Sequence, residues 1–266
     1  MQQPPGTRTV DRTLPERIFR HDRAALVAVL IALPLACWAW IVPMARDMSG
    51  AMTGPSAWMM TDDWDMPHVL LLGAMWIAMM AGMMLPSAAP MLLFYAAAAR
   101  GARNVQRARW GAYAMAAGYL LVWTGFSICA TALQRILSAV LLLSPMMKVT
   151  SPRLSGALLI GAGIYQLTPV KQACLASCSA PGGFLMGRWR EGRLGAFRLG
   201  VDHGLSCLGC CWALMLLLFA GGVMNLAVIG ALTTFVLVEK LTPLGPRSVR
   251  LTGPLLIAAG LWVIVR

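Results

Sequence analysis

The run His203-Gly-Leu-Ser-Cys207-Leu-Gly-Cys210-Cys211-Trp212 puts one imidazole and three thiols within nine residues of an otherwise apolar stretch. At about 100° per residue, His203, Cys207, Cys210 and Cys211 fall within an arc of roughly 100° on one helix face. Such a stripe is costly inside a membrane unless something compensates it. A soft cation does so, because thiolate, thioether and imidazole are the donors Cu(I) prefers, with Zn(II) the second candidate. Any one cysteine alone reads as a small buried residue. Four donors on one arc outweigh that reading.

Two more segments carry soft donors. Of 19 methionines, 11 lie between Met48 and Met91. On a helix there, His68, Met75, Met79 and Met83 share a face, while Met66, Met80, Met84 and Met91 approximate another. Rungs four residues apart stand about 6 Å apart along the axis, a spacing suited to passing an ion between thioethers. The competing reading is methionine as a packing residue. Before this helix, Asp62, Asp63 and Asp65 beside Met59, Met60 and Met66 form a candidate collecting loop. The second segment is Tyr165 to Pro181, with Cys174 and Cys178 at i and i+4 if the helix continues past Pro169. Lys171 nearby would favour their thiolate forms. A reversible disulfide between them is the alternative.

The elements that position these donors follow from composition. Apolar residues make up 59% of 266, charged residues 12%, and mean hydropathy is +0.70. A soluble domain carries about twice that charge fraction, so the expected fold is all-α: a polytopic transmembrane helix bundle of about seven spans. Residues 1–23 read as a polar cytoplasmic tail, and 24–266 as a single transmembrane domain. The expected spans are 24–44, 67–98 (kinked by Pro86 and Pro90), 111–133, 154–170, 197–220, 223–238 and 251–265. Gln134 to Leu143 reads as an interfacial helix, and a long basic loop follows the fourth span. Gly200 and Gly204 should let another helix approach the fifth span closely. Asn225 reads as a helix cap, and Glu239-Lys240 as a charged pair at the inner interface. Cys37 and Cys129 read as packing residues.

With the N-terminus inside, 17 Lys and Arg fall on inner segments and 5 on outer ones. That asymmetry is the positive-inside pattern, and it accounts for the pI of 10.2 without a nucleic-acid partner. The sequence contains no catalytic constellation and no organic-cofactor motif.

Three stretches resemble the hallmark segments of an uncharacterised family of bacterial integral membrane proteins labelled as metal-binding. They are Trp76-Ile-Ala-Met79-Met80-Ala-Gly-Met83-Met84-Leu-Pro86-Ser-Ala-Ala-Pro90, Tyr165-Gln-Leu-Thr-Pro169 through Cys178, and His203 to Trp212 continuing through Met224-Asn225 to Glu239-Lys240. The resemblance spans roughly residues 66 to 240. It implies a metal-binding protein of the bacterial inner membrane, and no particular reaction.

The leading expectation is a copper-handling protein rather than an enzyme. It would bind Cu(I) for transport or for delivery to a membrane or soluble metallochaperone, or to a metalloenzyme, with the lipid bilayer as its surroundings. Membrane thiol–disulfide exchange with a quinone is one alternative. It calls for accessible cysteines on the oxidising side, which this topology does not supply. A non-catalytic assembly subunit is the other.

Overall fold

A computed structural model describes residues 13–48, 50, 65–100, 105–140, 142–144, 147–242 and 245–266. Among these, the fold is all-α, with nine helices and one isolated antiparallel bridge, Leu143 to Val149. The helices are α1 (Thr13–Met48), α2 (Met66–Arg100), α3 (Val105–Ala139), α4 (Pro152–Gln166), α5 (Pro169–Ser179), α6 (Pro181–Arg188), α7 (Gly192–Gly221), α8 (Leu226–Leu241) and α9 (Gly245–Val265). Five segments are long and apolar enough to cross a membrane: 24–48, 66–99, 109–139, 192–221 and 248–265. Helices α4 and α8, with 15 and 16 residues, fall short of that length.

Helices α2 and α7 are the most buried of the five and form the centre of the bundle. α3 packs along α7, α1 along α2, and α9 along α4. The α3–α7 seam is set by glycine. A side chain at Gly200 would run into the Met115 carbonyl, one at Gly118 into the Phe197 backbone, and one at Gly204 into Val122. The close approach expected at Gly200 and Gly204 is therefore present, and α3 is the helix that makes it.

Local chemistry places the breaks. The Thr168 hydroxyl accepts from the Lys171 amide, and Pro169 occupies the first turn of α5. α4 thus ends at Gln166 and a new helix starts two residues after Leu167. Asn225 caps α8 as expected, accepting from the amides of Ala227 and Val228. α7 ends where Gly222 adopts φ +96°, a conformation that favours glycine.

Two expectations require correction. Gln134 does not open an interfacial helix, because α3 runs unbroken to Ala139. The reason is a buried hydrogen bond of 2.7 Å from the Trp76 indole to the Gln134 side chain, which holds that turn against the core. The long basic loop after the fourth span is largely helical, as α5 and α6. Pro86 and Pro90 lie inside α2, which runs to Arg100, close to the expected end of that span. The expected collecting residues Asp62, Asp63, Met59 and Met60 lie outside the described residues. Asp65 accepts a hydrogen bond from the His68 amide at 3.0 Å, and Met66 is exposed.

Candidate metal centre

Cys207 sits midway along α7, about 13 Å along the axis from Arg198. Its sulfur lies 2.7 Å from Lys240 Nζ at the end of α8 and 3.0 Å from Tyr119 Oη on α3. Tyr119 Oη also donates to the Met84 carbonyl at 3.0 Å, and Ser87 Oγ donates to the same carbonyl at 2.8 Å. Lys240 Nζ reaches Ser87 Oγ at 3.4 Å. Four helices thus meet at one thiol: α2, α3, α7 and α8.

A fifth element completes the cluster. The Cys178 thiol, carried by α5, comes within side-chain interaction range of both Cys207 and Cys210. Cys210 and Cys211 are fully buried, and their thiols donate to the Cys207 carbonyl at 3.0 and 2.9 Å. Cys174 lies one turn earlier on α5, its sulfur against Gly209, where no side chain could fit. The Gly209 carbonyl also accepts a hydrogen bond from Tyr165, so α4, α5 and α7 meet at this level. Sulfur from two helices therefore faces inward at one depth, walled by Tyr119 and Lys240.

His203 lies one turn along α7 from Cys207. Its ring is buried between Tyr119, at 5.6 Å, and Phe184, at 5.5 Å, and its Nδ1 has no hydrogen-bond partner. A buried ring nitrogen without a partner is unusual, and Trp123 Nε1 and Gln166 Oε1 share that state among the described residues. Among the described residues, no group of three His, Cys, Asp or Glu side chains could hold a metal ion as arranged. The donors that do meet are sulfurs. That donor set suits a soft monovalent ion better than Zn(II), which calls for four tetrahedral ligands.

Residues 73–263 match a family model, PpoB2, described as a copper chaperone. That stretch is well over half the chain. The chain belongs to the PpoB2 copper chaperone family. No curated protein and no solved structure matches it. Copper handling or delivery is thus the family's activity, and the copper ion is its cargo.

In this PpoB2 member the methionines of α2 are buried deep in the bundle. Met75, Met79, Met80, Met83 and Met84 are completely buried, so both faces of α2 point into protein. Trp76 packs on Phe219 at 5.3 Å, while Met84 meets Tyr119 at the level of Cys207. α2 and α7 are thus antiparallel, and Met79, Met80 and Met83 occupy the depth between those two contacts. His68 is buried too, but stands about 24 Å along the axis from Met84, too far to join the thiol cluster. Cys129 is exposed and Cys37 packs against Gly82, and neither approaches the centre.

Two expectations about charge are overturned. Lys171 does not serve the thiols of α5. It is fully buried and donates to both Glu239 oxygens at 2.9 Å, with Gln166 reaching the same carboxylate at 3.4 Å. Glu239-Lys240 is not an interfacial pair, since the two residues are 1% and 6% exposed. α8 is about 24 Å long and ends beside Cys207, midway along α7. Successive residues on a helix diverge by about 100°, so Glu239 turns to α5 and Lys240 to α7.

Tyr119, Ser87 and Lys240 were not singled out as site residues from sequence. Lys240 left a readable signal, a charge ending an apolar run. Tyr119 left only its place among small residues on the third span.

Proposed function

We propose that the protein is a multi-pass protein of the bacterial inner membrane that holds Cu(I) at Cys207 and Cys178 and passes it to a partner metalloprotein. His203, Cys210 and Cys211 act as neighbouring donors, Cys174 as an inner handover thiol, and Met75, Met79 and Met83 as a thioether path. The observation that carries this reading is the buried Cys207 sulfur set against Lys240 Nζ and Tyr119 Oη, with the thiol-bearing face of α5 packed on the same stretch of α7. The family description as a copper chaperone supports it independently.

The seven-pass topology, with the N-terminus inside, rests on the basic-residue asymmetry and on the five long apolar helices. α4 with α5, and α8, are read as the other two passes, the first of them a discontinuous span. Broken spans at mid-depth are where membrane proteins commonly bind ions. His68 then belongs to the outer end of the route rather than to the thiol cluster.

The test is elemental analysis of the full chain purified in detergent from copper-supplemented cells. Wild type is expected to retain copper, and the His203→Ala, Cys207→Ser double variant to lose most of it. Normal copper in the double variant would remove this centre from the account. Thiol labelling that responds to redox state and ignores copper would favour quinone-linked thiol exchange instead.

A further inference from the structure

Among the described residues two lysines are buried, and their partners differ in kind. Lys171 has a carboxylate, Glu239, on both of its oxygens. Lys240 has a sulfur at 2.7 Å and a hydroxyl at 3.4 Å. The carboxylate beside it in sequence is held by Lys171 and turned away. A buried ammonium without a carboxylate is costly in a low-dielectric interior, so its charge has to be matched by something else at this site.

Counting charge over the site narrows what that can be. A monovalent cation between two thiolates carries a net charge of −1, which the ammonium cancels. A divalent ion between the same two thiolates is neutral, and the ammonium then leaves an uncompensated +1. A monovalent ion on one thiolate with only thioether or imidazole donors beside it leaves the same +1. A divalent ion could restore the balance with a third thiolate, but no such triad is assembled among the described residues. Geometry and charge therefore select the same occupant.

We propose that Lys240 is the counter-charge that makes this centre selective for a monovalent soft cation, Cu(I) or its analogue Ag(I), held between Cys207 and Cys178. The proposal rests on the copper reading above and adds to it the residue that sets selectivity. Lys240 is a positioning residue in this role. It acts through Cys207 and does not ligate the ion. Ser87 fixes the ammonium from the α2 side, so the charge sits at a defined place beside the sulfur.

The experiment uses the full chain in detergent under reducing conditions, with Cu(I), Ag(I) and Zn(II) each titrated against a competing chelator. Wild type is expected to favour both monovalent ions over Zn(II). Lys240→Met is expected to weaken Cu(I) and Ag(I) by at least roughly 30-fold while leaving Zn(II) unchanged or stronger. Lys240→Arg, which keeps the charge, is expected to hold most of the monovalent preference. A general loosening of the fold would weaken all three ions together and could not invert their order.

The proposal is overturned if wild type binds Zn(II) as tightly as Cu(I), a comparison that needs no variant. It is also overturned if Lys240→Met folds and keeps the wild-type ratio. Copper binding abolished by Cys207→Ser yet indifferent to Lys240→Met sinks this proposal alone. Copper binding untouched by Cys207→Ser sinks the underlying reading and this proposal with it.

Discussion

Lys171 and Lys240 are both buried ammoniums, within one helical neighbourhood, and they face opposite problems. Lys171 is a closed ion pair: Glu239 takes it bidentately, and Gln166 and Thr252 extend the network towards α9. That arrangement fixes α5 to α8 and pairs both Glu239 oxygens with one ammonium. Lys240 is open by comparison. Its strongest contact is a polarisable sulfur that a metal can also use. The lesson is that neighbouring residues of one short helix divide the work: Glu239 holds the element bearing Cys178, and Lys240 faces the sulfur to which Cys178 is brought.

The largest effect that sharpens this comparison is on stability. Lys171→Met leaves Glu239 buried without its cation, and should cost about 3–5 kcal/mol by thermal or denaturant unfolding in detergent. Lys171→Met with Glu239→Leu should recover most of that loss, since both charges leave together. If the single variant is as stable as wild type, Lys171 and Glu239 are not the latch described. Gly200→Val comes next. It drives a branched side chain into the Met115 backbone and should cost about 1–3 kcal/mol or prevent α3 from docking.

Cys207→Ser tests the other half of the comparison. It should remove most bound copper at a stability cost below that of Lys171→Met, because serine can keep the Tyr119 and Lys240 contacts but not a negative charge opposite Lys240. A large loss of stability with copper intact would make Cys207 a packing residue. Tyr119→Phe should have a smaller effect. It deletes the hydroxyl that joins Met84 to Cys207, worth about 1 kcal/mol, and should lower copper retention severalfold rather than abolish it. Cys129→Ser should change neither quantity, since that residue faces outward.

Much of this was legible in the chain. The apolar spans, the arc of His203, Cys207, Cys210 and Cys211, and the glycine pair at Gly200 and Gly204 all follow from helical spacing, which a sequence carries directly. The Asn225 cap is equally local, a side chain bonding amides two and three residues on. What could not be read depends on where helices end in space. Glu239-Lys240 looks interfacial because a 16-residue apolar run ends there, and only the packing of α8 against α5 and α7 shows that both charges are buried in protein. Lys171 lies three residues from Cys174 in sequence, yet its ammonium belongs to Glu239, 68 residues away. Pairings over such separations leave no periodic trace. Trp76 and Gln134 are the same case, and they decide where α3 ends.

X-ray absorption at the copper edge of the loaded, full-length protein tests most directly whether sulfur from α5 and sulfur from α7 share one ion. The account predicts a Cu(I) edge with sulfur neighbours, and a loss of one sulfur in Cys178→Ser and in the residual copper that Cys207→Ser retains. A spectrum of nitrogen and oxygen neighbours alone, or one unchanged in both variants, contradicts it.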